Sequence, residues 1–162
     1  MSKVAVVYWS GTGNTEVMAS AVVDGVREGG AEAELFTASE FDASMLSSFD
    51  AVAFGCPSMG SEQLEDSEFE PMFNSCEGDL GGKKIALFGS YGWGDGEWMR
   101  SWEETCTADG AVLVTESVIC NDAPSDDAIA ECKAARCGSC SRLNNEISRF
   151  LSGYYKSVVA EK

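Results

Sequence analysis

The most constraining feature of this sequence is an apolar run that passes directly into a glycine-rich turn and then into a helical pattern. Residues 4–9 (VAVVYW) are continuously apolar, which predicts a strand buried on both faces of a parallel sheet. Residues 10–15 (SGTGNT) form the turn. Apolar residues then recur at helical spacing until Gly29 and Gly30, namely Val17, Met18, Ala21, Val22 and Val26. This order is typical of the first unit of an α/β fold.

The same alternation continues along the chain. Further strands are predicted over residues 33–37, 51–56, 84–89 and 111–120. Helices are predicted around residues 68–73, with Pro71 near the middle or at a break, and over residues 97–106 and 126–136. Right-handed crossovers between parallel strands place helices on both faces of the sheet. We therefore predict an α/β fold with a doubly wound, five-stranded parallel sheet, whose ligand site is built by the loops after strands one, three and four.

The charge and composition exclude several classes of function. The chain has 27 acidic and 11 basic residues, a net charge of -16, and this disfavours binding to nucleic acids and anionic membranes. The absence of histidine excludes Ser-His-Asp and Cys-His catalysis. No apolar run approaches the roughly 20 residues that span a bilayer, and the first residues do not resemble a secretory signal. We therefore expect a cytoplasmic location without membrane or nucleic-acid partners.

The turn at residues 10–15 fits one of three kinds of phosphate loop. A Walker loop requires a lysine that is absent here, and a dinucleotide loop requires a third glycine where this chain has Glu16. Backbone amides at a helix N-terminus can instead bind a single terminal phosphate. Hydroxyl and amide side chains would supply further donors, namely Ser10, Thr12, Asn14 and Thr15. This third interpretation, a mononucleotide phosphate held without a positive charge, fits every residue of the turn.

Three loops together resemble one known family. The segment YWSGTGNT (residues 8–15) closely resembles the FMN-phosphate loop of short-chain flavodoxins. The segments GCPSMGSE (55–62) and GSYGWGDGEWM (89–99) resemble the two flavin loops of that family, and LEDSEFEP (64–71) is also similar. The resemblance covers residues 3–132 in unbroken order. It implies a flavodoxin-like fold with strand order 2-1-3-4-5 and a non-covalently bound FMN. Both expectations rest on the family resemblance.

The resemblance also implies a set of FMN-binding residues. Met59 and Trp93 would cover the two faces of the flavin ring. The peptide bond between Gly60 and Ser61 would flip to accept from the flavin N5–H, and Glu62 would accept from N3–H. Pro57 stands where the family often has Ser or Thr, so Ser58 or Ser90 is expected to compensate. The full set expected to bind FMN is Ser10, Gly11, Thr12, Gly13, Asn14, Thr15, Ser58, Met59, Gly60, Ser61, Glu62, Ser90, Tyr91, Gly92, Trp93 and Gly94.

Carboxylates surround these loops and indicate the redox role. They are Glu62, Glu65, Asp66, Asp95 and Glu97, and nearby negative charge disfavours an anionic reduced flavin. We predict a monomeric, low-potential one-electron carrier, not an enzyme, that shuttles between the semiquinone and hydroquinone states. Its expected partners are redox enzymes with basic docking surfaces, such as ferredoxin or flavodoxin reductases and low-potential oxidoreductases. The alternatives are an FMN-dependent NAD(P)H:quinone-type reductase, which the compact loops disfavour, and a receiver-like signalling module, whose acidic residues are missing.

The C-terminal region differs from the rest of the chain. Residues 133–162 carry six basic and two acidic residues. We predict a flavodoxin-like FMN-binding domain over residues 1–140 and an amphipathic helical extension over residues 141–162, with Gly138 before it. Cys132, Cys137 and Cys140 match three positions of a plant-type ferredoxin run, and the last two also form a CxxC pair. Without an evident fourth ligand after them, we interpret them as incidental thiols at a helix end and expect no metal site.

Overall fold

The computed structural model describes residues 2–135, and within them a central parallel sheet is covered by helices on both faces. The strands are β1 (Lys3–Tyr8), β2 (Glu32–Thr37), β3 (Ala51–Gly55), β4 (Lys84–Tyr91), β5 (Val112–Leu113) and β6 (Val118–Asn121). The helices are α1 (Asn14–Glu28), α2 (Phe69–Glu77), α3 (Glu97–Ala108) and α4 (Asp126–Ala134). Two short 3-10 turns, Ala38–Glu40 and Ala43–Ser48, carry the chain from β2 to β3.

The strand order is β2-β1-β3-β4, followed by β5 and β6, which both pair with β4. Every pairing is parallel, with Val4 beside Ala33 of β2 and Ala51 of β3. The predicted fold class and strand order are therefore confirmed. The carboxyl ends of β1 and β3 lie side by side and their connections leave in opposite directions, which creates the crevice where ligands of such sheets bind.

The prediction of one continuous strand over residues 111–120 was wrong. The chain pairs with the first part of β4 through β5 and with its last part through β6, and residues 115–117 leave the ladder in between, after the Val114 N–H donates to the Ile85 carbonyl at 3.0 Å. In that interval the Ser117 hydroxyl donates to the Glu103 carboxylate of α3 at 2.5 Å.

The two faces of the sheet have separate cores. Helices α1 and α4 pack on one face, where a Cβ on Gly25 would lie 2.0 Å from the Lys133 carbonyl oxygen, so the two helices approach to backbone contact. Helices α2 and α3 cover the other face with an aromatic core, namely Phe54, Phe69, Phe73, Trp98 and Trp102. This second core supports the elements from which two of the three site loops leave.

Pro71 lies in the first turn of α2, which begins at Phe69. The N–H groups of a helix's first turn have no intrahelical acceptor, so proline there costs no hydrogen bond. The helix consequently runs through to Glu77 instead of ending at residue 73.

Within residues 2–135, no helix is long and apolar enough to cross a membrane. The predicted helical extension over residues 141–162, together with Gly138, Cys137 and Cys140, lies outside the described residues.

Candidate functional site

The first loop, residues 10–13, turns the end of β1 into the start of α1. Gly13 caps the helix with a left-handed φ of 95°, and its N–H donates to the Ser10 hydroxyl at 3.0 Å. No side chain caps the N-terminus of α1. The amides of the first turn therefore remain available to an anion, and the helix dipole favours negative charge at the same place. Beside this loop, a Cβ on Gly11 would lie 2.9 Å from the Trp9 ring, so glycine permits the close turn.

Thr15 and Ser90 connect the first loop to the end of β4. Thr15 is completely buried and Ser90 is 5% exposed, and their hydroxyl oxygens lie 3.1 Å apart. Thr15 is the second residue of α1, so this hydrogen bond fixes the start of the helix against the sheet. Ser90 lies within β4 rather than after it, which corrects the expectation that it follows the strand.

A cavity of about 210 Å³ lies between the three loops at the carboxyl edge of the sheet. It brings together eight residues expected from the sequence, Gly11, Thr12, Asn14, Ser58, Met59, Ser90, Tyr91 and Gly92. Three further lining residues were not predicted to bind, namely Trp9, Pro57 and Asp122. None of the lining residues is basic. An anion that enters this cavity is met by amides and hydroxyls, beside the carboxylate of Asp122, and not by a lysine or arginine.

The second loop contains a tight turn that displays Met59. The backbone N–H of each of Met59 and Gln63 donates to the carbonyl of the other, at 2.8 and 2.9 Å, and both Gly60 and Glu62 have left-handed φ values near 50°. Met59 is 38% exposed at the cavity, and Trp93 of the third loop is 62% exposed. Both are among the large apolar side chains that the described part of the chain leaves open to solvent. Exposed apolar groups beside a cavity mark a surface suited to a flat apolar ligand.

Glu62 joins the second loop to the third. Its carboxylate accepts from the N–H of Glu97, the first residue of α3, at 3.1 Å. A Cβ on Gly94, which has a φ of 86°, would lie 2.4 Å from the same carboxylate oxygen. The glycine is therefore required both for the turn and to leave room for Glu62. Gly60, Ser61, Glu62, Trp93 and Gly94 do not line the cavity itself but lie in the turns that flank it.

Glu65 anchors the end of the second loop. Its side chain is 4% exposed and accepts from the backbone N–H groups of Ser67, Glu68 and Phe69 at 2.9 Å each, and also from the Ser67 hydroxyl. Burial alone raises the pKa of a carboxyl group, but the hydrogen bonds outweigh it, and the pKa of Glu65 is lowered. The Glu65 N–H also donates to the Cys56 sulfur at 3.3 Å. This buried carboxylate was not distinguishable in sequence from its acidic neighbours.

Two further contacts tie the loops at the surface. The Trp9 indole N–H donates to the Glu68 carboxylate at 3.0 Å, which connects the end of β1 to the start of α2. Arg100 donates to the Asp95 carbonyl at 3.0 Å and to its carboxylate at 2.8 Å, and this partner lowers the pKa of Asp95. Arg100 is 56% exposed, so the ion pair contributes more to the geometry of the third loop than to stability.

The thiols are not arranged as a metal centre in the described residues. No group of three or more potential ligands that could hold a metal lies within residues 2–135. Cys132 is completely buried, and burial raises the pKa of its thiol to about 12, so it is not a ready nucleophile. The other two cysteines of the predicted run lie outside these residues.

The geometry fits a mononucleotide whose base is flat and apolar. The uncapped helix end and the hydroxyls suit a phosphate, and the cavity reaches Met59, with Trp93 exposed in the neighbouring loop. The fold and the site thus define a doubly wound nucleotide-binding protein with its ligand at the switch point of the sheet.

Comparison with known proteins gives the family. The flavodoxin family profile matches residues 6–135. The chain is 45% identical over 130 residues to the flavodoxin of Megasphaera elsdenii, covering 80% of this chain and 93% of the relative, and 45% identical over 127 residues to that of Clostridium beijerinckii, covering 78% and 91%. The solution structure of two-electron reduced M. elsdenii flavodoxin matches with a TM-score of 0.77 at 42% identity, covering 84% of this chain and 99% of that one. The chain belongs to the flavodoxin family, whose members bind FMN and act as electron carriers rather than enzymes.

Proposed function

We propose that this chain is a low-potential one-electron carrier that holds FMN by neutral donors inside a rim of carboxylates. The observation that carries the proposal is the cavity lined by residues 9, 11, 12, 14, 57–59, 90–92 and 122, none of which is basic. When bound, FMN supplies the one-electron chemistry, and the protein sets its orientation and its electrostatic surroundings. Negative charge placed near a group disfavours a further negative charge on it, so the carboxylates of Glu62, Asp95, Glu97 and Asp122 push the last reduction step to low potential.

Different residues hold the phosphate, the faces and the polar edge of the cofactor. The amides at the start of α1 and the side chains of the first loop hold the phosphate, namely Ser10, Thr12, Asn14 and Thr15. Met59 and Trp93 cover the ring, as their exposure beside the cavity supports. One oxygen of Glu62 already accepts from Glu97, and a carboxylate has capacity for several donors, so Glu62 can also accept from the ring N3–H. Gly60 has a left-handed φ of 54° with no atom near its missing Cβ, so the peptide it shares with Ser61 is free to reorient.

The partners follow from the charge. A carrier with 27 acidic and 11 basic residues is steered toward basic surfaces, such as those expected on flavodoxin reductases and on low-potential oxidoreductases. We propose that it acts as a cytoplasmic monomer. The alternative, a quinone-type reductase, is not favoured, because the curated relatives at 45% identity are flavodoxins.

Asn14→Asp tests the phosphate site without removing the fold. The change is nearly isosteric and adds one negative charge at the first residue of α1, where an acidic side chain is favourable to the helix itself. We expect the affinity for FMN, measured by quenching of flavin fluorescence, to fall at least about tenfold, which corresponds to about 1.4 kcal/mol. Riboflavin, which has no phosphate, serves as the control ligand, and its affinity should change less than about threefold. Equal losses for both flavins would refute the proposed phosphate site.

Potentiometry of the FMN-loaded protein tests the carrier function. Two well-separated one-electron midpoint potentials, with the second far below that of free FMN, are expected. A single two-electron step, or rapid bleaching of the flavin by NAD(P)H alone, would contradict the carrier and favour the reductase.

A further inference from the structure

A second depression, distinct from the FMN cavity, lies between helices α2 and α3. It has a volume of about 450 Å³ and is closed at one end by residues 61–64 of the second loop. One wall is a stripe of α2 at i, i+3, i+4 and i+7, and the other is a stripe of α3 that includes Trp102 and Thr105. Each stripe runs for about two helical turns, or roughly 10 Å. We call this depression the α2–α3 groove.

The groove is lined by acidic side chains and by no basic one. The carboxylates of Glu62, Glu70, Glu77 and Glu97 line it. Burial raises the pKa of Glu77, and the negative charges of Asp109 and Glu70 raise it further. Arg100 of α3 interacts with Glu62 and Glu97, so the repulsion without a compensating cation is that at Glu70 and Glu77, and a positively charged occupant beside these two carboxylates would relieve it.

A second feature of the groove requires a hydrogen-bond acceptor. Trp102 lines the groove and is 2% exposed, and its indole N–H is buried without a partner among the described residues. The comparable N–H of Trp98 donates to the Cys56 carbonyl at 3.2 Å, so an unpaired indole is not general in this core. A buried donor without an acceptor costs about 1–3 kcal/mol, which an incoming carbonyl oxygen would recover. An extended basic peptide segment offers both a hydrogen-bond acceptor and a cation on one occupant.

The position of the groove beside the flavin loops indicates which molecule supplies that segment. Ser61 and Glu62 line the groove, and Glu62 also belongs to the turn that flanks the FMN cavity. We propose that the α2–α3 groove receives a basic segment of the redox partner, with an arginine or lysine side chain between Glu70 and Glu77 and a backbone carbonyl on the Trp102 indole N–H. This inference rests on the proposed carrier function, since docking here brings a partner beside the flavin loops.

Nuclear magnetic resonance of the full-length, FMN-loaded, 15N-labelled protein tests the proposal. The probe is a capped pentapeptide with two arginines alternating with glycine, and its counterpart with two glutamates is the control ligand. The indole N–H signal of Trp102, assigned with Trp102→Phe, is expected to shift in a saturable way with the arginine peptide alone. The indole signals of Trp9 and Trp98 already have acceptors and should shift much less.

Matched double variants distinguish the effect of the groove carboxylates on peptide binding from the effect of the general negative charge of the surface. Glu70→Gln with Glu77→Gln removes two charges from the groove, whereas Asp24→Asn with Glu104→Gln removes two exposed charges elsewhere. We expect the first pair to raise the Kd of the arginine peptide at least fivefold and the second less than twofold, with FMN affinity changed less than twofold in both. Equal effects of the two pairs, or no shift at Trp102, would overturn the groove. Failure of FMN binding would overturn the carrier function instead, and the peptide titration reports independently of it.

Discussion

Glu65→Gln is the most informative single change, because it removes one charge and leaves the shape of the buried site nearly unchanged. In the protein each carboxylate oxygen of Glu65 accepts two hydrogen bonds, from Ser67 twice at one oxygen and from the N–H groups of Glu68 and Phe69 at the other. Glutamine keeps one oxygen and turns an NH2 group toward two donors. With the NH2 group toward Ser67, the Ser67 hydroxyl can rotate to accept from it, but the Ser67 N–H is left without an acceptor. The hydrogen bonds from Glu68 and Phe69 are kept but lose the negative charge, which the dipole of α2 favours at this end.

The magnitude follows from one lost hydrogen bond and from the loss of charge at the others. Hydrogen bonds to charged groups contribute about 1.5–3 kcal/mol each, and the neutral amide is easier to bury than the carboxylate, so we expect a net loss near 3 kcal/mol. That is roughly a hundredfold in the ratio of folded to unfolded protein. Urea unfolding of the FMN-free protein at pH 7 measures it as a midpoint lower by about 1.5 M. Glu104→Gln, on the exposed side of α3, is the control and should stay within about 0.5 kcal/mol.

The pH dependence checks the cause. Hydrogen bonding lowers the pKa of Glu65 in the folded protein below that of an unfolded glutamate, which is about 4.3. Its contribution is therefore complete above the unfolded pKa and is lost as the pH falls through the folded pKa. The difference between the original protein and Glu65→Gln should therefore shrink as the pH is lowered from 7 to 3.5. A difference below about 1 kcal/mol at pH 7, or one that does not change with pH, would refute the assignment of Glu65 as a charged anchor.

Three other substitutions probe the site itself. Trp93→Ala should leave the stability of the FMN-free protein within about 0.5 kcal/mol, because the indole is 62% exposed, and should weaken FMN binding at least tenfold by calorimetry. Gly94→Ala should lower the free energy of unfolding by urea by about 2 kcal/mol, because its φ of 86° is strained for alanine and the new Cβ displaces the Glu62 carboxylate. Gly92→Ala is the control, because its Cβ would meet nothing closer than 3.7 Å. Thr15→Val should lower the free energy of unfolding by about 1–2 kcal/mol, because it leaves the Ser90 hydroxyl buried without its partner. Thr15→Ser should recover most of this loss. An equal loss for serine would contradict the hydrogen bond as the cause.

The sequence predicts best where function is carried by short contiguous loops at strand ends. The buried run of β1 and the turn at residues 10–13 determine both the strand and the helix that follows, and the structure places Thr12, Asn14 and Met59 in one cavity as expected. The strand order is confirmed, and these side chains share one cavity because parallel strands bring their carboxyl ends to one edge of the sheet. That they bind FMN stays a prediction.

Features that depend on contacts between distant segments were missed. Asp122 reaches the cavity because β6 is a separate strand and the residue adopts a left-handed φ of 55° immediately after it, and no local motif indicates either fact. Glu65 is one acid among several in residues 62–70, and only the structure shows that it is buried and caps α2. The interruption between β5 and β6, where Ser117 contacts α3, is likewise a feature that apolar periodicity does not record.

The contacts between the loops separate the anchoring of the cofactor from the tuning of its potential. Each neighbouring pair of loops is joined by the chain's own side chains: Thr15 to Ser90 in the interior, and at the surface Trp9 to Glu68 and Glu62 to the start of α3. Because these hydrogen bonds between the loops form without the cofactor, no basic residue is needed to draw the loops together around a phosphate. A lysine or arginine beside the phosphate would bind it more strongly, but its charge would also stabilise a reduced, anionic ring and raise the potential. A site assembled by neutral donors can be surrounded by carboxylates without losing its shape, and that combination is what a low-potential carrier requires.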